Sequence, residues 1–332
     1  MKPVKSVLVI KLSALGDFVM AFPAFARIRA AHPDARITLL TTPPFESLAK
    51  LSPYFDAVDT GGRPNGPGAW LAMVARIRRG KFDRVYDLQT NDRTNLLFQS
   101  LRPSPPPWSG VAVGCSLPHR NRGREAMHPL ERHAEQLMDA GIWPGAPVAP
   151  LSAEPPDISW ILKQAQAKAR PNARPQRPTA LMVPGSSAHR TEKRWPIESY
   201  GALAGKLEAE GFEVLILGGL QEAELARGIQ RKAPRARDLT GRTDFAQIAG
   251  YGGRAAVAIG NDTGPVHLIA AAGAPTIVLF SSASSPELSA PRGHVNVFQA
   301  PDLKDVPVEM VLASALSLAR PETSPETPSA TT

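Results

Sequence analysis

The fold is decided by a strand, turn and helix pattern in the second half of the chain, Gly260-Asn261-Asp262-Thr263-Gly264-Pro265-Val266-His267, which directly follows the apolar run 255–259. The apolar run predicts a buried strand, and Pro265 suits the first turn of a helix, where its missing N–H is not needed. A polar turn between such a strand and such a helix leaves free backbone N–H groups at the carboxyl edge of a parallel sheet. The pattern therefore predicts an α/β fold with an anion site at that edge.

Strands and helices alternate along most of the chain. Apolar runs of strand length occur at 7–10, 36–41, 57–58 and 82–88, and again at 179–183, 212–217, 255–259 and 276–280. Segments with helical spacing of apolar residues separate them. This alternation predicts parallel sheets covered by helices on both faces. Because 332 residues exceed the usual size of one hydrophobic core, we expect two such domains with a cleft between them.

Three segments break the alternation. Residues 102–124 are rich in proline and arginine and poor in apolar side chains, so we expect a mobile loop there. The proline-rich run 143–156 is the best candidate for the domain boundary, since such segments act as semi-rigid spacers. The end of the chain is rich in Pro, Ser and Thr and predicts a disordered tail. The expected domains are therefore 1–155 and 156–320, followed by the tail 321–332.

The chain is basic, with a formal net charge of +8. This charge predicts an anionic partner, which could be nucleic acid, a phosphorylated glycolipid surface or a nucleotide substrate. The few Tyr and Trp residues are scattered rather than interleaved with basic residues, which disfavours nucleic acid. The single cysteine, Cys115, cannot form an internal disulfide, and no apolar stretch has the length of a membrane span. We therefore expect a cytoplasmic protein whose membrane contact is peripheral.

The polar turn that begins at Asp262 has a functional and a purely structural interpretation. Its backbone N–H groups suit a pyrophosphate, and His267, one helical turn further on, would face the same ligand. Alternatively, Asp262 or Thr263 only caps the helix, and His267 is a packed core histidine. The structural interpretation is the more common one for a single histidine, but the complete run favours ligand binding.

A second polar turn follows the predicted strand 179–183. Ser186 and Ser187 offer hydroxyl donors to phosphate oxygens, and Lys193 is placed to neutralise the charge of a leaving diphosphate. The alternative is a solvated basic loop, because the neighbours of Lys193 are also basic. Further on, Glu222 or Glu224 at a helix start could bind ribose hydroxyls, although exposed acids on a helix are commonly only solvated.

The first half of the chain has polar turns at the same edge of its own predicted sheet. In the run Lys11-Leu12-Ser13-Ala14-Leu15-Gly16-Asp17, an acid at a helix start faces the cleft, where an acceptor hydroxyl needs a general base. A carboxylate that only complements the helix dipole explains Asp17 equally well. The run has one glycine where a dinucleotide fingerprint needs three. After the next central strand, residues 87–93 offer groups for acceptor hydroxyls or phosphates, or form a capping turn.

In this order, the polar turns resemble glycosyltransferase family 9, the lipopolysaccharide heptosyltransferases, over about residues 4–320. The matching runs are 9–17, 184–187, 193–196 and 261–268, which are specific together and weak singly. The resemblance implies a GT-B fold, in which two Rossmann-like domains face each other across a cleft. It also implies transfer of heptose from ADP-heptose with inversion, without a tightly bound metal or other cofactor.

The resemblance assigns roles to individual residues. Asp17 resembles the family's catalytic base, and Lys193 the group that stabilises the leaving ADP. Donor binding is implied for Ser186, Ser187, Lys193, Glu222, Asp262, Thr263, Gly264 and His267. Acceptor binding is implied for Lys11, Ser13, Gln89, Arg93, Arg120 and Arg122. A His-x-x-Glu-Arg run at 128–132 also matches, whereas Ser186-Ser187 replaces the threonines of well-studied members and the insert 102–124 is particular to this chain.

On this basis we expect a transferase that adds heptose to a Kdo or heptose acceptor of the lipopolysaccharide inner core. Asp17 takes the proton of the attacking hydroxyl, and ADP leaves from the opposite face. The basic residues 119–124 would meet the phosphorylated core at the cytoplasmic face of the inner membrane. The alternatives are a transferase that uses another nucleotide sugar for a different surface glycan, an isomerase of the same fold, and a non-catalytic protein that binds anionic glycans.

Overall fold

The computed structural model describes residues 3–144, 154–168, 177–187 and 190–319. Over these residues the chain forms two α/β halves, each built on a six-stranded parallel sheet. The strands of the first sheet are β1 Ser6–Ile10, β2 Arg36–Leu40, β3 Ala57–Asp59, β4 Arg84–Asp87, β5 Trp108–Gly110 and β6 Leu117–Pro118. Those of the second sheet are β7 Thr179–Val183, β8 Glu213–Ile216, β9 Arg237–Asp238, β10 Val257–Asn261, β11 Thr276–Phe280 and β12 Val295–Gln299.

Helices connect the strands and cover the sheets. The first half contains α1 Leu15–Val19, α2 Phe22–Ala31, α3 Glu46–Leu51, α4 Gly66–Arg79, α5 Asp92–Ser100 and α6 Pro129–Asp139. The remainder contains α7 Ser159–Lys168, α8 Ile197–Ala209, α9 Ala223–Gln230, α10 Phe245–Gly252, α11 Gly264–Ala271, α12 Pro286–Ser289 and α13 Val308–Ala319. Strands β7, β10 and β11 are buried at every residue, as expected for parallel strands with helices on both faces.

Both sheets have the strand order of a Rossmann fold. The order is β3-β2-β1-β4-β5-β6 in the first and β12-β11-β10-β7-β8-β9 in the second. In each sheet the order reverses between two central strands, which are β1 and β4 in the first half and β7 and β10 in the second. Ligands bind beyond the carboxyl ends of such strands. The prediction of an α/β fold with two Rossmann-like halves is therefore confirmed, and four of the predicted polar turns follow these four strands.

Helix α7 joins the two halves. Its Trp160 packs edge-on against Phe22 and Tyr54 of the first half, with ring centroids 5.3 Å and 6.0 Å apart. The same helix packs against α10 of the second half. The predicted domain boundary at residue 155 lies just before α7, and the domain limits stay a prediction. The predicted tail, 321–332, lies outside the described residues.

The expectation of a mobile loop over 102–124 is wrong for part of that segment. It contains β5 and β6, and Trp108 in β5 is completely buried, with its ring 5.4 Å from that of Phe98. These strands have three and two residues, too few for a periodic pattern to be recognised. Their extended backbone is fixed by parallel pairing with β4 and with each other.

Candidate active site

A cleft of about 260 Å³ lies between the carboxyl edges of the two sheets. Residues of both halves line it: Ala14, Gly16, Asp17 and Met20 from the first, and Ser187, Arg190, Lys193, Asp262, Thr263, Gly264, His267 and Ser289 from the second. The fold thus brings the predicted base and most of the predicted donor-binding residues into one cavity.

Asp17 is held in the first-half wall by the start of α1. Its Oδ2 accepts a hydrogen bond from the backbone N–H of Ala14 at 3.2 Å, as a carboxylate in a capping box does. The side chain nevertheless remains partly exposed in the cleft. The two interpretations of Asp17 are therefore compatible, because a carboxylate that caps the helix through one oxygen still presents itself to a ligand.

Two glycines allow the halves to approach closely beside Asp17. A Cβ atom added to Gly16 would lie 2.8 Å from Cδ2 of His267, and one added to Gly264 would lie 2.5 Å from Cβ of Leu15. Both distances are below any normal contact between a Cβ atom and its neighbours. The starts of α1 and α11 therefore face each other across the cleft at a distance that only glycine permits.

A charged group lines the second-half wall. Lys193 Nζ donates to Asp262 Oδ2 at 2.6 Å, and Nε2 of His267 lies 4.0 Å from Asp262 Oδ1. Burial opposes the charge of Asp262, but His267 and the Lys193 ammonium outweigh it and hold the pKa of the carboxyl at about 2. Asp262 is therefore ionised at neutral pH and orients a lysine that is itself only 17 % exposed.

The start of α11 has no side-chain cap. Thr263 is the N-cap residue, yet its hydroxyl makes no capping hydrogen bond, and the carboxylate of Asp262 is engaged with Lys193. Pro265 occupies the first turn, as its lack of an N–H allows. The expected alternative, in which Asp262 or Thr263 serves only as a cap, is thus absent, and the cleft borders an uncapped helix N-terminus.

Asn261 ties together the two turns that form this wall. Its Oδ1 accepts hydrogen bonds from the N–H of Trp195 at 3.0 Å and the hydroxyl of Tyr200 at 3.1 Å. Its Nδ2 donates to the carbonyl of Pro184 at 2.8 Å and that of Gly185 at 3.2 Å. The side chain is completely buried, and its hydrogen bonds hold the end of β10 and the loop after β7 together.

The other predicted donor residues occupy distinct positions. Ser186 is buried, and its hydroxyl is used inside the loop, where it donates to Arg190 O at 2.8 Å and accepts from Arg194 Nε at 2.9 Å. Ser187 is exposed and lines the cleft. Glu222 is buried after β8, where its Oε2 accepts from the N–H of Gly219 at 2.7 Å.

Two predicted acceptor residues, Gln89 and Lys11, support the first-half wall. Gln89 Oε1 accepts from the N–H groups of Leu12 at 2.8 Å and Ser13 at 3.3 Å, which fixes the turn after β1 to the turn after β4. Lys11 is 2 % exposed and donates to Leu88 O at 3.2 Å. Burial lowers the pKa of Lys11 to about 8, against the field of Asp17. Lys11 therefore lies beneath the cleft rather than in its lining.

The remaining acceptor candidates lie further out. Arg93 is exposed in the first turn of α5, while Arg120 and Arg122 are exposed near the end of β6. Ser13 is partly exposed, and its hydroxyl accepts a hydrogen bond from Arg63. Neither these four predicted residues nor Arg63 are among the residues that line the 260 Å³ cavity.

Sequence reasoning missed three residues of this site. Arg63 follows β3 and reaches the turn after β1, Arg190 lines the cleft, and Asn261 braces two loops. From the sequence alone, Arg190 is only one of several basic residues near Lys193, and Asn261 is only one member of the run 260–267. The position of Arg63 at the carboxyl edge of a first-half strand was the available signal for it.

The family model for glycosyltransferase family 9 (heptosyltransferase) matches residues 70–304. The chain belongs to this family. Lipopolysaccharide heptosyltransferase 2 of Escherichia coli K12 is 26 % identical over 309 residues, covering 87 % of this chain and 86 % of the relative. The protein is accordingly a glycosyltransferase.

Solved structures of family members have the same GT-B fold. The family 9 glycosyltransferase of Veillonella parvula superposes with a TM-score of 0.78 at 20 % identity, covering 96 % of this chain and 98 % of that one. The E. coli heptosyltransferase WaaC with ADP superposes with a TM-score of 0.73 at 19 % identity, covering 94 % and 99 %.

Within the described ranges, no group of three or more His, Cys, Asp or Glu side chains is arranged to hold a metal ion. Across the same ranges, no helix combines the length and the apolar character needed to cross a bilayer.

Proposed function

We propose that this family 9 enzyme transfers heptose from ADP-heptose to a Kdo or heptose residue of the lipopolysaccharide inner core, with Asp17 as the general base. The names of its relatives support this choice of substrates. The E. coli relative is a lipopolysaccharide heptosyltransferase, and the similar WaaC structure contains ADP.

One observation carries the proposal. A partly exposed carboxylate of the first half, Asp17, lines the same cavity as Lys193 and the uncapped start of α11 from the second half. A displacement with inversion needs a base on the acceptor side of the anomeric carbon and charge stabilisation on the opposite side. The two walls of this cleft carry these two functions.

The second-half wall is suited to a diphosphate. The uncapped N–H groups of α11 and the hydroxyl of Ser187 offer hydrogen bonds to phosphate oxygens. Lys193, oriented by Asp262, stabilises the negative charge that develops on ADP as the glycosidic bond breaks. Thr263, Gly264 and His267 contact the diphosphate and sugar in this scheme, and Glu222, after β8, binds the ribose.

These charges take the place of a metal ion in our proposal. We expect the transfer rate to be unchanged by a chelator such as EDTA. Loss of activity with EDTA that a divalent cation restores would contradict this.

On the first-half side, Ser13, Gln89 and Arg93 lie at or beyond the turn that carries Asp17, which suits an acceptor sugar. Lys11 supports this region from below.

The decisive experiment is product analysis after incubation with ADP-heptose and truncated lipid acceptors that end in Kdo or in one heptose. A mass increase of one heptose on one acceptor is the expected result. Asp17→Asn should abolish turnover while binding ADP as tightly as the wild type. Asp244→Asn is a matched control, since the Asp244 carboxylate also caps a helix, α10, and lies outside the cavity lining. If Asp17→Asn keeps most of the transfer rate, Asp17 is not the base.

A donor panel separates this proposal from related activities. ADP-heptose should raise the melting temperature more than ADP-glucose, UDP-glucose or UDP-N-acetylglucosamine at equal concentration. A larger shift with a uridine nucleotide would indicate a different donor. Conversion of the donor sugar in the absence of an acceptor would indicate an isomerase.

Peripheral contact with the cytoplasmic face of the inner membrane follows from the same proposal. Arg120 and Arg122 are exposed near β6, and the chain carries a net charge of +8. Exposed arginines attract anionic headgroups within about a Debye length. Sedimentation with vesicles that contain anionic lipid should be reduced by replacing both arginines with serine. Equal binding by this variant and the wild type would remove the argument for this surface.

A further inference from the structure

The first turn of α6 contacts the second half of the protein through two polar interactions. Nε2 of His128 lies 3.0 Å from the carbonyl oxygen of Ala290, and Arg292 Nη2 lies 3.0 Å from Glu131 Oε1. The side chains of Glu131 and Arg292 are only 21 % and 26 % exposed. This set of contacts, which we call the α6 bridge, joins residues that are about 160 positions apart.

The proton of His128 lies on the nitrogen that faces the second half. Nδ1 of His128 accepts from the N–H of Leu130 at 3.4 Å as the N-cap of α6, so Nε2 carries the hydrogen and donates it to Ala290 O. Burial lowers the pKa of His128 to about 4, and Arg292, His267 and Arg132 act in the same direction. The ring is therefore neutral near pH 7.

On the first-half side, α6 is fixed to the support of Asp17. Gln136 Nε2 donates to Asp87 O at 2.9 Å, and Nε2 of His133 lies 3.3 Å from Leu88 O. Leu88 O also accepts from Lys11, at the start of the run that carries Asp17. A displacement of α6 would therefore displace the turns after β1 and β4 together.

On the second-half side, the bridge ends beside the donor wall. Ala290 directly follows Ser289, which lines the cleft, at the end of α12. In the same loop, the carbonyl of Ala283 accepts from Arg190, another cleft residue, at 2.7 Å. The α6 bridge thus links the support of the proposed base to the loop that closes the opposite wall.

We propose that Glu131 and Arg292, with His128, are positioning residues that set the separation between Asp17 and the donor wall. None of the three is among the residues that line the cleft. They hold the two halves at the spacing in which the cleft is formed, because α6 connects to one wall and residues 290–292 to the other. Their effect on the reaction rests on the proposed function, whereas their effect on the spacing of the halves does not.

Charge reversal tests the bridge. Glu131→Arg and Arg292→Glu each place like charges in contact, and the double variant restores an opposite pair. We expect each single variant to have a larger radius of gyration by small-angle scattering than the wild type. We also expect its kcat to be about tenfold lower, a change within the usual range of coupling free energies between contacting residues. ADP affinity, which belongs to the second half alone, should change less than about twofold. The double variant should recover both kcat and radius.

A pair within one half is the control. Glu213 and Arg237 form a 2.6 Å ion pair between the first residues of β8 and β9, at the sheet edge opposite the cleft. Reversing these charges should leave kcat and the radius of gyration unchanged. If a reversed α6 variant does not fold, Glu131→Gln and Arg292→Gln, which remove the attraction without repulsion, replace it in the comparison.

Two results would overturn the inference. Wild-type kcat and radius of gyration in the single α6 variants would show that the contact does not set the separation of the halves. A double variant with the same kcat and radius of gyration as the single variants would show that the loss of the Glu131–Arg292 pair does not cause the change. If the wild type transfers no heptose to any acceptor, the proposed function fails. The radius of gyration then decides the α6 bridge by itself.

Discussion

Replacing Gly16 by alanine tests whether the halves must meet at backbone distance beside the proposed base. The new Cβ would lie 2.8 Å from Cδ2 and 2.9 Å from Nε2 of His267, whereas ordinary contact begins at 3.4 Å. The imidazole or α1 must therefore move by about 0.6 Å. His267 is buried, so this movement has little free space and costs about 1–3 kcal/mol. If the whole of this cost is added to the activation free energy of transfer, kcat drops about 5- to 150-fold, since about 1.4 kcal/mol is tenfold.

The assay for Gly16→Ala is heptose transfer, with ADP affinity and the free energy of unfolding measured on the same preparations. Gly68→Ala is the matched control: Gly68 is an exposed residue of α4, and an added Cβ there meets nothing within 4 Å. It should leave kcat unchanged and stabilise the protein by up to about 1 kcal/mol, because alanine favours a helix more than glycine does.

Gly16→Ala with wild-type kcat and unchanged stability would refute the argument from close approach. Unchanged kcat with reduced stability would show that the halves relax at the contact without disturbing Asp17. Loss of kcat is the result that the geometry predicts. Intact ADP binding beside that loss would show that α1 has moved, and weaker ADP binding would show that His267 of the donor wall has moved.

Three other changes have defined outcomes. Asn261→Ala leaves the N–H of Trp195 and the carbonyl of Pro184 without their buried partner. Urea denaturation should therefore show a free energy of unfolding that is lower by about 3 kcal/mol. A decrease below about 1 kcal/mol would mean that water or a rearrangement of the loops satisfies these groups. Asp262 has a pKa of about 2 in the folded protein, against 3.8 for the free side chain. As the pH falls, the carboxylate is therefore protonated at a higher pH in the unfolded chain than in the folded protein. Its contribution to stability, about 2 kcal/mol, is present above pH 4 and lost as the pH falls towards 2, and Asp262→Asn should lack this part of the acid titration. His128 has a pKa of about 4 against 6.5, so the unfolded chain is protonated first and stability falls between pH 6.5 and 4. His128→Gln should flatten the stability curve over that interval, and identical curves would contradict the assignment.

The regular part of the fold could be predicted because its strands are apolar and its helices periodic. The run 179–183 predicts a strand and forms β7 with the same limits, and the run 276–280 likewise predicts a strand and forms β11. Elements whose residues lack such patterns were missed. The two residues of β9 are Arg and Asp, and β12 is largely exposed, so only pairing with neighbouring strands reveals them.

The site was predictable to the extent that it follows from strand ends. Asp17, Lys193 and Asp262 each come soon after a central strand, and parallel topology alone brings such residues to one edge. The partners of those residues could not be predicted. That Lys193 pairs with Asp262, or that Glu131 meets Arg292 of the other half, depends on how loops and halves pack, which no local pattern encodes.

The two glycine contacts also bear on how such an enzyme can be recombined. At Gly16 and Gly264 each half meets a side chain of the other with no space for one more carbon atom. A chimera that joins the first half of this chain to the second half of a distant relative must preserve both contacts. The incoming half has to supply glycine at its own meeting point and a side chain of matching size opposite, so these contacts, together with the α6 bridge, restrict which parental combinations are viable.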